Sequence, residues 1–110
     1  MVKRFGQVNR VRPEVLEEYK QIHVKIWQEI EDAIRESGII NYSIYYKDGF
    51  LFAYFEYDGP EEEFAARMEK LANAPRMQEW WGITKAMQMP LETRAPGEWW
   101  ADMEEVFHQD

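Results

Sequence analysis

The residues able to do chemistry in this chain are few, and they converge on His23. It lies within a helical pattern from Glu14 to Glu36. At about 100° per residue, Leu16, Tyr19, His23, Trp27, Ile30 and Ile34 fall on one stripe of that pattern. An imidazole on an apolar and aromatic face costs free energy to bury unless a partner hydrogen-bonds it. Two readings follow: a core histidine satisfied by a neighbour, or a group that titrates near neutrality and exchanges protons with a ligand. Tyr19 sits one turn before it and Trp27 one turn after. Trp80-Trp81 is a second concentration of rings. Adjacent helical residues point apart, so one faces the core and the other is spare, with a flat apolar face and one N–H donor. Sugar rings match such a surface, because their C–H faces pack on indole and their hydroxyls take the donor. Tyr42, on a strand pattern, reads as half-buried.

Other chemistries find no support in the sequence. Cysteine is absent, which excludes thiol catalysis, disulfides and zinc–thiolate sites. The only histidines are His23 and His108, and no carboxylate stands at a convincing ligand spacing from His23 on its own face, so no metal site is expected. His108 reads as a surface residue without a role. Glycine-rich phosphate loops are missing, and neither Ser37 nor Ser43 lies in a nucleophile elbow.

The elements that must position these residues can be read in order. Residues 3–9 suit a short strand, Pro13 suits a helix start, and Gly38 suits a left-handed stop. Ile39 to Tyr46 alternates as a strand, with Tyr42, Ile44 and Tyr46 on one face and Ser43 and Tyr45 on the other. Asp48-Gly49 then predicts a hairpin into Phe50–Tyr57, which is apolar on both faces. After Gly59-Pro60, Glu61–Glu63 opens a helix through Phe64, Met68 and Leu71, with negative charge where the dipole favours it. Pro75 starts a further helical piece that carries Trp80 and Trp81 and ends before Pro90. Residues 91–98 form a loop, and Trp99 to Phe107 reads as a last strand with a bulge near Glu104-Glu105. The order is strand, helix, strand, strand, helix, strand. It predicts one α+β domain over residues 1–110, a ferredoxin-like βαββαβ sandwich whose antiparallel sheet has helices on one face. The other face is left bare and aromatic, which predicts a homodimer packed sheet to sheet as a dimeric α+β barrel.

At 110 residues, 45% of them hydrophobic, the chain supports one real core and is not disordered. Its formal charge of −8 disfavours nucleic acid and strongly anionic substrates, and is compatible with a neutral one. No signal-peptide pattern follows Met1, and no apolar run is long enough for a bilayer, so a cytoplasmic location is expected, with no membrane partner.

Taken together, several segments resemble the L-rhamnose mutarotase family. They are Glu18-Tyr19 with His23 and Ile26-Trp27, then Asn41-Tyr42-Ser43-Ile44-Tyr45, Leu51-Phe52-Ala53, Trp80-Trp81, and Glu104-Glu105-Val106-Phe107-His108. The resemblance covers nearly the whole chain in order and length. It implies a dimeric ferredoxin-like domain that interconverts the α and β pyranose anomers of L-rhamnose without a cofactor. It assigns the proton donor to His23 and sugar contacts to Tyr19, Tyr42, Trp80 and Trp81. The chain departs from the family pattern after His23, where the family often has a polar residue and a proline, and after Trp27, where it often has another proline. Gly82 to Met87 also differs, so the pocket wall is less alike than the acid–base group. Two other readings stay open on the residues alone. One is a monooxygenase or haem-degrading enzyme of the same dimeric α+β barrel class, in which His23 would bind iron. The other is a non-catalytic small-molecule-binding module.

Overall fold

The computed structural model describes residues 2–110; Met1, which belongs to the N-terminal pattern read for a signal peptide, lies outside them. Strand β1 (Val2–Arg10) leads through a 3-10 turn, Pro13–Val15, into helix α1 (Leu16–Val24), and helix α2 (Gln28–Glu36) follows. Strands β2 (Ile39–Lys47) and β3 (Phe50–Asp58) form the predicted hairpin. A second 3-10 turn, Glu61–Glu63, opens helix α3 (Phe64–Asn73), then come α4 (Pro75–Met87) and the two-residue strand β4 (Ala101–Asp102). The sheet order is β2-β3-β1-β4 with every pairing antiparallel, the arrangement expected of a ferredoxin-like sandwich.

Leu51, Ala53 and Tyr57 of β3 are buried under the helices. Phe5 stacks on Phe64 at 5.3 Å between ring centroids and so ties β1 to α3. The opposite face carries Tyr45, Phe50, Phe52 and Tyr54, all exposed. In register, Phe52 lies between Tyr45 of β2 and Val8 of β1, which makes the bare side one continuous aromatic patch.

Three expectations are corrected. The helix over Glu14–Glu36 is two helices, separated where Lys25 is extended (φ −140, ψ 90). Ile26 and Trp27 are neighbours that would point about 100° apart on a continuous helix. The break lets both pack on one cluster with Ile30, Met77 and Trp80. The last strand is confined to Ala101–Asp102, since only Gln7 and Val8 of β1 offer it a ladder. Beyond it the tail is held by the Met103 N–H on the Gly6 carbonyl at 2.8 Å and by the Arg4–Glu105 ion pair at 2.8 Å.

The bulge, finally, lies in β2 rather than near Glu104. Ile40 pairs with Glu56 and Ser43 with Tyr54, so three steps along β2 match two along β3. Asn41 takes up the extra residue at φ 51, and its amide donates to the Glu56 carboxylate at 2.9 Å. The bulge reverses the phase of the strand. Ile39 is buried beneath the helices, and Tyr42, Ile44 and Tyr46 turn to that same side.

Gly38 and Gly49 both have positive φ, +96° and +89°. A Cβ at Gly49 meets nothing within 4 Å, whereas one at Gly38 stands 2.9 Å from the Tyr57 ring. Gly49→Ala should therefore cost about 1–2 kcal/mol, the backbone cost alone, and Gly38→Ala clearly more. Urea unfolding of the two variants checks the ranking, which equal losses would overturn.

Candidate active site

His23 occupies the last turn of α1, half-buried. Its Nδ1 lies 2.7 Å from the Tyr19 carbonyl oxygen. A carbonyl only accepts, so Nδ1 carries the ring hydrogen and Nε2 is the nitrogen free for proton exchange. The rings around it set its orientation. Tyr19 lies 4.4 Å away between centroids, tilted by 38°, and Trp80 presents an edge contact at 5.5 Å. Trp27 in turn packs edge-on against Trp80 at 5.3 Å. The satisfied-neighbour reading holds for Nδ1, and among the described residues Nε2 has no hydrogen-bond partner.

Tyr19 and His23 line a cavity of about 240 Å³ between α1 and the sheet, with Ile44 and Tyr46 of β2 and Leu51 of β3 across from them. Its walls are mainly apolar. It is smaller than the roughly 300–1,000 Å³ of pockets for drug-sized ligands, which suits a small molecule. Lys20 stands at the rim, and its ammonium lies 5.6 Å from the Tyr46 ring centroid.

Tyr42 joins the site from β2 through the bulge at Asn41. Its ring packs at 5.4 Å from Phe55, and 42% of the residue's surface is exposed. Its hydroxyl end is crowded by protein. That desolvation, with a lesser contribution from Tyr19, pushes its pKa up to about 12. Burial also raises the Tyr19 pKa, opposed by a hydrogen bond from Gln88. Both phenols are shifted further from ionisation and can serve as hydrogen-bond donors.

The tryptophan pair divides as the helical spacing requires. Trp80 is buried, at 7% exposure, and touches His23. Trp81 is half-buried at the edge of the same cluster and turns towards Lys85, whose ammonium lies 5.3 Å from its ring and 5.4 Å from Trp99. The structure thus groups Tyr19, His23 and Trp80 tightly and brings Tyr42 to the same side of the sheet. It does not set Trp81 against the His23 ring.

Sequence reasoning missed a buried polar group beneath Tyr19. Gln88 is 3% exposed, and its Nε2 donates to the Tyr19 hydroxyl at 3.0 Å. Its Oε1 accepts from the Trp99 indole at 2.7 Å and from the Asn9 amide at 3.3 Å. Backbone bonds from Arg12 N to Met87 O and from Met89 N to Arg10 O flank Gln88 and seat it against the end of β1. Gln88 lies 69 residues from Tyr19 and 79 from Asn9, so no local spacing signals the association. Among the described residues, no group of three or more His, Cys, Asp or Glu is placed to hold a metal ion, and no helix is long and apolar enough to cross a membrane.

Comparison with known proteins gives the family. The family model described as L-rhamnose mutarotase matches residues 4–109. The chain is 32% identical to the L-rhamnose mutarotase of Ligilactobacillus salivarius, covering 100% of both chains. It is 34% identical to that of Bacillus subtilis, covering 99% of this chain and 100% of the relative. The crystal structure of an L-rhamnose mutarotase from Formosa agariphila superposes with a TM-score of 0.75 at 22% identity, covering 98% of this chain and 99% of that one, and so shares the fold. These matches do not favour the monooxygenase, haem-degrading or non-catalytic readings. Their extent from end to end, together with the sandwich and the grouping of Tyr19, His23 and Trp80, leads to one conclusion: the chain belongs to the L-rhamnose mutarotase family.

Proposed function

We propose that this protein is an isomerase that interconverts the α and β pyranose anomers of L-rhamnose, or of a closely related aldose, by acid–base ring opening without a cofactor. The observation that carries the reading is the His23 ring. Its Nδ1–H is tied to a backbone carbonyl, its Nε2 is free, and it lines a small apolar cavity beside a phenol that keeps its proton.

Mutarotation requires the anomeric hydroxyl to lose a proton while the ring oxygen gains one. The bond between C1 and the ring oxygen then breaks to give an aldehyde, C1 rotates, and the ring closes on the other face. Neither redox change nor covalent intermediate is involved. His23 Nε2 takes up or supplies the proton at one of these oxygens. Tyr19 and Tyr42, as neutral phenols, donate hydrogen bonds to the anomeric group and so stabilise charge as it develops there. Trp80, buried against His23, keeps the imidazole in place, and Trp81, half-buried at the edge of the same cluster, offers an indole face for the C–H side of the sugar. A neutral sugar is consistent with a chain of net charge −8.

The working form in this reading is a cytoplasmic homodimer. Its support is the bare face of Tyr45, Phe50, Phe52 and Tyr54, exposed together on one side of the sheet as an interaction surface would be.

Saturation transfer between the anomeric protons of L-rhamnose measures the exchange directly. His23→Ala should lower the enzyme-dependent rate by about 10²–10⁴-fold, the usual contribution of a positioned acid–base group, while circular dichroism stays native. Full activity in that folded variant would sink the assignment. Fucose, lyxose and mannose in the same assay rank the substrates. For the assembly, sedimentation should find a dimer for the unaltered chain and a monomer for Phe52→Lys with Tyr45→Lys. A monomeric unaltered protein would refute the sheet-to-sheet dimer.

A further inference from the structure

Tyr19 is 4% exposed, and its oxygen accepts one hydrogen bond, from Gln88. Among the described residues, no acceptor lies within hydrogen-bond distance to take its own proton. A buried hydroxyl in that state is costly unless a ligand completes it. The surrounding network decides why the bond runs in this direction. An indole N–H can only donate, so the Gln88 oxygen must face Trp99, 2.7 Å away, and its amide nitrogen must then face Tyr19. The Arg10 backbone N–H can likewise only donate. It meets the Asn9 Oδ1 at 2.8 Å and so turns the Asn9 amide nitrogen towards Gln88. Two obligate donors at the outer ends therefore set every bond between them.

We infer that Gln88, locked by Trp99 and Asn9, is a positioning residue that makes the Tyr19 oxygen an acceptor and so reserves the Tyr19 proton for an oxygen of the bound sugar. The inference rests on the mutarotase reading of the His23 cavity. It adds a direction to the Tyr19 hydrogen bond and names the side chain that imposes it. The charged groups nearest this segment are already engaged: the Arg10 guanidinium donates to the Met89 and Pro90 carbonyls, and Arg12 donates to the Ala86 carbonyl. Tyr19 and Gln88 are thus coupled through this one bond, with the imidazole of His23 packed against the phenol ring at 4.4 Å between centroids.

Gln88→Glu tests the direction while keeping the size of the side chain. An ionised carboxylate still accepts from Trp99 and Asn9, yet it takes the Tyr19 proton instead of giving one. When protonated, it can donate as the glutamine does. At neutral pH the variant should lose about a hundredfold in kcat, the low end of what a positioned proton donor contributes, with KM little changed. Its activity relative to the unaltered protein should recover as pH falls through the titration of the new carboxyl. A ratio that is flat with pH, whether near one or low throughout, overturns the inference.

A second measurement needs no activity. Carbon-13 at the tyrosine Cζ, with Tyr19 assigned through Tyr19→Phe, should show a higher Tyr19 titration midpoint in Gln88→Met, because the phenolate loses its donor. An unchanged midpoint overturns the inference even if Gln88→Glu fails to fold. Failure of the unaltered protein to speed anomer exchange would instead overturn the mutarotase reading, and the carbon-13 result would still report the bond.

Discussion

Three helices meet at the indole of Trp80, and the arrangement of the candidate site follows from that contact. Trp80 is buried on α4, edge-on to Trp27 at the start of α2 and edge-on to His23 at the end of α1. Ile30 and Met77 close the same cluster from α2 and α4. A large rigid ring at such a junction removes the freedom of the helices to slide, because interiors pack at crystal density and any shift opens a void. The chain break at Lys25 belongs to this constraint. It frees Ile26 and Trp27 to enter the cluster together and leaves His23 at a helix end, with its Nδ1 turned back onto the Tyr19 carbonyl. The departure from the family after Trp27 also finds its place here. Gln28 is the first residue of α2, a position where proline is tolerated since its N–H would be unpaired anyway; in this chain the Gln28 side chain donates to Asp32 at 2.9 Å instead.

The candidate site sets the imidazole of His23 among phenols and apolar side chains. Desolvation raises the pKa values of Tyr19 and Tyr42, and apolar side chains line the cavity beside Tyr19. Excess negative charge is carried elsewhere, on carboxylates such as the exposed Glu29 and Glu105 and the half-buried Glu56, each held below the usual carboxylate range by hydrogen bonds, with Arg76, Arg4 or Tyr54 among the donors. Such pairs contribute little stability in water. The Arg4–Glu105 pair nevertheless has a structural role, since it pins the tail across β1 where the ladder has ended.

Much of the architecture is legible from local rules. Alternation in Ile39–Tyr46 and Phe50–Tyr57, the Asp48-Gly49 turn, the proline-led helix starts and the order of elements give the α+β sandwich without tertiary information. Tyr19, His23 and Trp80 stand out because a polar ring on an apolar stripe, and two large rings side by side, are conspicuous wherever they occur. The final strand is shorter than its pattern because alternation marks what can pair, while a strand exists only as far as a neighbour supplies a ladder, and here β1 supplies two residues. The helix break is invisible in the sequence for a related reason. Leu16 through Ile34 keep helical spacing across it, and only the demand of the Trp80 cluster for both Ile26 and Trp27 favours the interruption.

What the sequence by itself determined is the set of elements, the bare aromatic face and the singling out of His23 as the candidate acid–base residue, since each depends on residue type and short-range spacing. What only the tertiary structure decided is direction. The bulge at Asn41 turns Tyr42 to the helix side of the sheet, the Tyr19 carbonyl chooses the His23 tautomer, and Gln88, 69 residues away, sets which way the Tyr19 hydrogen bond runs. Hydrogen-bond polarity depends on which obligate donors surround a group in space, and chain positions far apart in sequence meet only when the fold brings them together.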